Sequence, residues 1–243
     1  MTLFADLKKA IGTEWTDYTE HEFVRKLGEG TLPLPVFQDY LVQDYHFLVQ
    51  FARANALAAY KSRNLADIKD ATGALQAILH ETELHRRLTA RWGITEEELD
   101  AAAEKQTTVA YTRYVLDTGM SGDLLDMHVA LSPCSIGYAE IGAALEPQRQ
   151  KALRQQTQNS NQEHPYGEWI AEYSGTEFQT AARAATERLD ALTAGSVTAQ
   201  RFDSLVEIFR AATRLEAAFW QQALDSAQSS KPNHPPQFGR SLL

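Results

Sequence analysis

Apolar residues recur along most of this chain at alternating steps of three and four, the spacing that places side chains on one face of an α-helix. No segment shows the strict alternation of apolar and polar residues that is typical of a half-buried strand. The pattern therefore predicts an all-α fold. We expect helices over about 2–16, 21–27, 35–62, 64 or 67 to 92, 107–116, 121–145, 165–173, 176–193 and 197–226, with a further helix beginning at a capping box at Thr95.

Proline marks one interruption inside these predicted helices. Pro133 lies within the helix over 121–145, directly before Cys134. Because proline lacks an N–H and displaces the carbonyl four residues earlier, we expect a kink at this point. Residues 229–243 are rich in Ser and Pro, which predicts an extended or loosely packed tail. No linker divides residues 1–228, so we expect one helical domain there.

Composition and charge narrow the classes of function. The chain has 243 residues, enough to bury a substantial core, and a formal net charge of −9, which disfavours binding to nucleic acid phosphates. No apolar run approaches the roughly 20 residues that span a bilayer. The acid and two lysines among the first nine residues do not fit a signal peptide, and the single cysteine cannot form an intrachain disulfide. We therefore expect a cytoplasmic protein.

Three of the predicted helices carry one ionisable residue in the middle of an otherwise apolar stripe: Asp44, Cys134 and Glu216. An unpaired buried carboxylate costs several kcal/mol or takes up a proton, so the two acids indicate either a pocket or a satisfied structural network. The stripes read Phe37, Leu41, Asp44, Leu48, Phe51 in the first of these helices; Met127, Leu131, Cys134, Tyr138, Ile141, Leu145 in the second; and Phe202, Val206, Phe209, Thr213, Glu216, Trp220 in the third.

Cys134 has two possible interpretations from the sequence. A free cysteine is most often a small buried hydrophobe. The kink expected at Pro133 could instead turn the sulfur into a cavity, and Tyr138 lies one helical turn further on the same face. A nucleophilic thiol needs help to ionise, because its ordinary pKa is about 8.5. No histidine is obviously placed to give that help.

Five segments of the chain together resemble the TenA / thiaminase II family. They are Asp39–Tyr45, Ala110–Thr112, Leu131–Gly142, Trp169–Tyr173 and Leu215–Trp220, and they occur in the order and spacing of that family. The resemblance implies a haem-oxygenase-like helical bundle, usually a homotetramer, with no metal or organic cofactor. It also implies a hydrolase that acts on thiamin, or on an aminomethylpyrimidine derived from degraded thiamin during salvage.

The resemblance carries roles for individual residues. Cys134 would be the nucleophile that adds to the pyrimidine ring, and Glu216 would bind a ring nitrogen and act as the acid and base. Asp44 would hold a ring nitrogen and the exocyclic amine. Phe47 stands where many relatives have a tyrosine, which puts the rate and the preferred substrate in question. The remaining predicted pocket residues are Tyr111, Tyr138 and Tyr173, which would line the pocket and support proton transfer, and Phe219, which would stack on the ring.

Two other classes of function remain open from the sequence. Glu81 and His85 are one turn apart and could share a metal ion with His80 or His21, as in an oxidase on the same fold. Because no second Glu/His pair occurs on the last helix, we instead expect His85 to be a capping residue or part of a surface network. The second alternative is a non-catalytic regulator or binding protein whose pocket holds a pyrimidine without turnover.

Overall fold

The computed structural model describes residues 2–159, 164–193 and 197–229, and within these ranges the regular structure is helical throughout, without a strand. The all-α prediction is therefore confirmed. The helices are α1 Leu3–Ile11, α2 Thr13–Thr19, α3 Glu22–Glu29, α4 Leu34–Lys61, α5 Leu65–Arg91, α6 Glu96–Ala101, α7 Gln106–Ser121, α8 Leu124–Ser132, α9 Tyr138–Asn159, α10 Gly167–Ser174, α11 Thr176–Leu192 and α12 Ala199–Ser229, and a π-helical turn, Pro133–Gly137, joins α8 to α9.

Several predicted helix ends needed correction. The first predicted helix, over 2–16, is two helices, because Gly12 adopts a left-handed φ of 61° and ends α1. The helix predicted over 107–116 continues to Ser121, and α8 begins only after a capping box formed by Asp123 and Asp126. Ser229 ends α12, and the rest of the predicted tail lies outside the described residues.

Helices α4, α7 and α12 form the centre of the bundle and pack against one another, and α5 lies along α4. Each apolar stripe identified in the sequence faces this interior. The largest fully buried side chains there are mostly aromatic and include Trp169, Trp220, Tyr18, Tyr40, Tyr111 and Tyr173. The tyrosines bring hydroxyl groups into an otherwise apolar core, where each needs a hydrogen-bond partner.

The kink expected at Pro133 takes the form of the π-helical turn. Tyr18 reaches this turn from α2 and donates a hydrogen bond of 3.1 Å from its hydroxyl to the Pro133 carbonyl. Gly137 lets the two elements approach, because a Cβ atom at this position would lie 2.7 Å from Cε1 of Tyr18. Tyr18 therefore fixes the backbone on which Cys134 stands.

A second close approach sets the position of α10. A Cβ atom at Gly142 of α9 would lie 2.5 Å from the backbone carbonyl carbon of Tyr173, so only glycine fits without moving a helix. This contact brings the Tyr173 ring to 5.0 Å from the ring of Tyr138. Among the described helices, none is both long enough and apolar enough to cross a bilayer.

Candidate active site

Asp44 lies in the middle of α4 and is almost fully buried. Its Oδ2 atom accepts a 3.0 Å hydrogen bond from the hydroxyl of Tyr40, one turn earlier on the same helix. The Tyr40 hydroxyl in turn accepts a 3.2 Å hydrogen bond from Nε1 of Trp169 on α10. The carboxylate is therefore held by a short chain of buried donors.

His85 reaches the same carboxylate from α5. Its Nε2 atom lies 2.5 Å from Oδ2 of Asp44, an ion-pair contact in which the N–H direction is not well aligned with the oxygen. Its Nδ1 atom lies 3.1 Å from the backbone carbonyl of Glu81. Burial alone would lower the pKa of His85, but Asp44 and Glu81 outweigh burial and raise it to about 9. The expectation that His85 belongs to a cap or surface network was wrong, since its side chain is 0% exposed.

The side chain of Glu81 also faces this interior. Its Oε1 atom accepts a 2.6 Å hydrogen bond from the hydroxyl of Tyr173. Burial raises the pKa of the Glu81 carboxyl to about 7, although the neighbouring His85 and the Tyr173 hydrogen bond oppose the shift. Near neutral pH this carboxyl is therefore close to half protonated.

Glu216 projects from the middle of α12 and is almost fully buried. Its Oε1 atom accepts a 2.9 Å hydrogen bond from the hydroxyl of Tyr111 on α7. Burial raises the pKa of Glu216 to about 8; the Tyr111 hydrogen bond opposes this shift and the Asp44 charge adds to it. At pH 7 this side chain is mainly a neutral carboxylic acid that can donate a proton.

Cys134 stands in the π-helical turn and is half-buried, so it keeps some accessible surface. Burial raises the pKa of its thiol well above the ordinary value, and the charges of Glu216, Glu81 and Asp44 raise it further. The thiol thus shares one electrostatic environment with all three carboxyl groups. It is protonated at neutral pH and needs a base before it can act as a nucleophile.

Aromatic rings surround these ionisable groups. The Phe47 ring lies 4.9 Å from the ring of Tyr111 and 6.0 Å from that of Phe219, so it joins the α7 and α12 sides of the site. The Tyr138 ring packs 6.0 Å from Trp169. Tyr173 and Phe219 come from α10 and α12 and pack in the same aromatic core. Ring walls of this kind suit a flat heteroaromatic ligand.

The structure brings together the residues that the sequence singled out, which are Asp44, Phe47, Tyr111, Cys134, Tyr138, Tyr173, Glu216 and Phe219. Sequence reasoning missed Tyr18, Tyr40 and Trp169 as polar partners, and it treated Glu81 and His85 only as possible metal ligands. The spacing of Tyr40 to Asp44 and of Glu81 to His85, four residues in each case, was an available signal.

A metal centre has no clear set of ligands here. In the ranges that the structure describes, no cluster of three or more His, Cys, Asp or Glu side chains is arranged to hold a metal ion. Both ring nitrogens of His85 already face oxygen atoms of Asp44 and Glu81. His21 accepts a hydrogen bond from the amide of Phe23 at the start of α3, and His80 is exposed.

Comparison with known proteins agrees with this architecture. Residues 9–226 match the sequence profile of the TENA/THI-4/PQQC family. A protein of Halalkalibacterium halodurans described as an aminopyrimidine aminohydrolase is 35% identical over 92% of this chain and 96% of its own length. A Helicobacter pylori protein of the same description is 32% identical over 87% of this chain and 94% of its own length.

Solved structures show the same fold. A crystal structure described as a TenA family transcription regulator from Silicibacter sp. TM1040 superposes with a TM-score of 0.82 at 38% identity, and the match covers 91% of this chain and 96% of that one. A Shewanella denitrificans domain described as having a heme oxygenase-like fold superposes with a TM-score of 0.69 at 15% identity over 93% of each chain. The chain therefore belongs to the TENA/THI-4/PQQC family and has the haem-oxygenase-like helical fold.

Proposed function

We propose that this protein is a cysteine-dependent hydrolase of aminopyrimidines that carry a leaving group on an exocyclic methylene. The substrate would be thiamin or the aminomethylpyrimidine left after thiamin degradation, and the product would be hydroxymethylpyrimidine. One observation carries the proposal: a half-buried thiol shares an aromatic site with an ion-paired carboxylate and with a carboxyl whose pKa is about 8. The relatives described as aminopyrimidine aminohydrolases support the same class of reaction.

The two acids are suited to opposite tasks at the ring edge. Glu216, neutral at pH 7, can donate a hydrogen bond to a ring nitrogen, which withdraws electrons from the ring. Asp44, paired with His85, can accept a hydrogen bond from the exocyclic amine. A pyrimidine bound between them presents a ring carbon to the thiol of Cys134.

The first chemical step can proceed without a free thiolate. As the bond between sulfur and the ring carbon forms, Glu216 releases its proton to the ring nitrogen and takes up the proton of the Cys134 thiol. The total charge of the site does not change, which matters because burial raises the pKa of the thiol well above its ordinary value.

The second half of the reaction restores the enzyme. The ring electrons expel the amine or thiazole from the methylene, and the leaving group takes up a proton where its chemistry requires one. Water then adds to the methylene and gives up a proton. As the sulfur leaves, it takes a proton from Glu216 and the ring nitrogen returns its proton to Glu216, so the thiol is restored and the ring regains aromaticity. Glu81, hydrogen-bonded to Tyr173 and with a pKa of about 7, can carry the proton of the attacking water.

The proposal is tested by incubating the purified protein with thiamin and, separately, with aminomethylpyrimidine, and by following products by liquid chromatography. We expect hydroxymethylpyrimidine from at least one substrate and none from the Cys134→Ala variant. Ser135→Ala is the matched control, because it alters the same turn but removes only a hydroxyl bonded to the Leu131 carbonyl. Equal turnover by wild type and Cys134→Ala would refute the cysteine mechanism.

A binding protein without catalysis is the second candidate, and Phe47 favours it. This residue places an apolar ring 4.9 Å from the ring of Tyr111, at a position where the family resemblance leads us to expect a tyrosine hydroxyl. Isothermal titration calorimetry with hydroxymethylpyrimidine separates the two functions. Saturable binding to the wild type, together with no product from either substrate, would establish the binding role and exclude the hydrolase.

A further inference from the structure

The first turn of α7 is capped by side chains of two neighbouring helices rather than by its own sequence. Its N-cap residue, Lys105, has no side-chain acceptor for the amides that begin the helix. Instead, Oε1 of Gln222 on α12 accepts a 3.0 Å hydrogen bond from the amide of Thr107. Oε1 of Gln43 on α4 accepts a 2.8 Å hydrogen bond from the amide of Lys105. The start of α7 is therefore held by α4 and α12.

Thr108 joins these two glutamines. Its hydroxyl donates a 2.6 Å hydrogen bond to Oε1 of Gln43 and accepts a 3.2 Å hydrogen bond from Nε2 of Gln222. Nε2 of Gln43 donates in turn to the carbonyl of Ala103 at 3.0 Å. Gln43 and Thr108 are almost fully buried, so their polar groups depend on these bonds. We call the three side chains the Gln43–Thr108–Gln222 network.

Other buried threonines of the described helices use their hydroxyls differently. Those of Thr89, Thr112 and Thr213 each donate to the carbonyl four residues earlier in their own helix. Such a bond does little to fix one helix against another. The Thr108 hydroxyl instead connects α7 to both α4 and α12, so the network determines where the first turn of α7 lies.

The network lies one helical turn from the candidate active site. Tyr111 follows Thr108 by three residues, on the same face of α7, and its hydroxyl donates the 2.9 Å hydrogen bond to Oε1 of Glu216. Phe47 follows Gln43 by one turn on α4, and its ring packs 4.9 Å from that of Tyr111. A shift in the first turn of α7 would therefore move the Tyr111 hydroxyl.

We propose that Thr108 is a positioning residue, because the network it forms between α4 and α12 holds the Tyr111 hydroxyl against Oε1 of Glu216. With Oε1 accepting this hydrogen bond, Oε2 is left to carry the proton when Glu216 is a neutral acid. Thr108 thus helps to decide which oxygen of Glu216 acts as the donor. This consequence for catalysis rests on the proposed function, in which Glu216 donates to a ring nitrogen.

The groups around Glu216 determine how its titration reports on this contact. Burial raises the pKa of Glu216 to about 8, the Asp44 charge adds to this shift, and the Tyr111 hydrogen bond opposes it. Loosening the Tyr111 bond should therefore raise the pKa further. The ionisable groups near Glu216 come from α4, α7, the π-helical turn, α2 and α9, and they are Asp44, Tyr111, Cys134, Tyr18 and Tyr138.

The first test follows Glu216 itself and needs no ligand. Carbon-13 nuclear magnetic resonance of glutamate carboxyls gives its titration midpoint, with the signal assigned by its absence in Glu216→Gln. We expect Thr108→Val, which replaces the hydroxyl with a methyl group, to raise the midpoint by at least about half a pH unit. Thr108→Ser keeps the hydroxyl and should retain the wild-type midpoint. Thr213→Val is the matched control and should leave it unchanged, because the buried Thr213 hydroxyl bonds to the Phe209 carbonyl of its own helix.

A double-mutant cycle shows whether Thr108 acts through Tyr111. Tyr111→Phe alone should raise the midpoint at least as much as Thr108→Val, and combining the two should raise it no further. Gln222→Met breaks the network from α12 and should shift the midpoint in the same direction, which decides the question if Thr108→Val does not fold. An unmoved midpoint in the folded network variants, or shifts that add in the double variant, would overturn the inference.

The product assay tests the consequence for catalysis. Thr108→Val should lower kcat at least about threefold and change KM less than about twofold, because it disturbs the proton donor rather than the binding of the ring. Turnover by the wild type together with an unmoved midpoint in Thr108→Val would refute the positioning role and leave the hydrolase standing. A raised midpoint with no product from any pyrimidine would refute the hydrolase and leave the positioning role standing.

Discussion

Replacing Glu216 with glutamine should stabilise the folded protein at neutral pH while it removes activity. The folded state binds the Glu216 proton more tightly than the unfolded chain does, because burial raises the pKa from its ordinary value of 4.5 to about 8. Between these values, each pH unit costs the folded state about 1.4 kcal/mol. At pH 7 the buried carboxyl therefore lowers the free energy of unfolding by roughly 3 kcal/mol. A glutamine has no proton to lose and does not carry this cost.

The measurement is urea unfolding of wild type and Glu216→Gln from pH 5 to 8, at one protein concentration because association shifts apparent stability. The free energy of unfolding of the variant minus that of the wild type should rise with pH by about 1.4 kcal/mol per unit. Glu207→Gln is the matched control, since this residue lies on the same helix with a side chain 73% exposed. If the free energies of unfolding of wild type and Glu216→Gln changed with pH in parallel, the raised pKa of Glu216 would be refuted.

Three further substitutions test the surroundings of the site. Phe47→Tyr should raise the turnover of thiamin relative to aminomethylpyrimidine, because it adds the hydroxyl that the family resemblance leads us to expect beside the ring of Tyr111; an unchanged ratio in the product assay would contradict this. Tyr18→Phe leaves the buried Pro133 carbonyl without its 3.1 Å donor. It should cost about 1–3 kcal/mol in urea unfolding and lower kcat more than it raises KM. Gly142→Ala, whose Cβ would lie 2.5 Å from the Tyr173 backbone, should cost about 2 kcal/mol or more and lower Tm; an unchanged Tm would show that α10 can move freely.

The sequence was sufficient for those parts of the fold and site that depend on periodicity. Asp44, Cys134 and Glu216 each interrupt an apolar stripe, and a stripe faces the core whatever the bundle's topology. The break at Gly12 could not be seen in this way, because the apolar spacing continues across it while the backbone turns through a positive φ. Pro133 predicted a kink, but neither its π-helical form nor the hydrogen bond that it accepts from Tyr18 could be inferred from the local sequence.

His85 shows why the rest of the site could not be predicted. Its neighbours along α5 are largely polar or charged, and the spacing of Glu81 and His85 does not by itself distinguish a buried imidazole from an exposed one. His85 is buried because α5 lies along α4 and places this residue opposite Asp44. This arrangement belongs to the tertiary structure. The spacing of Glu81 and His85 identified a pair on one helix face, but it could not identify the partner across the interface.

The distribution of charge in this site also limits the ligand it can hold. Three carboxyls lie around one thiol, and His85 lies beside two of them, Asp44 and Glu81. Burial keeps Glu216 largely protonated and leaves Glu81 close to its midpoint, so the site is nearly neutral in total. A neutral ring with an amine on one edge would offer a donor to Asp44 and an acceptor to Glu216, which suits such a site better than an anionic ligand does. Burial of Glu216 lowers the stability of the protein, but it also keeps Glu216 protonated, so that Glu216 can donate a proton opposite the acceptor Asp44.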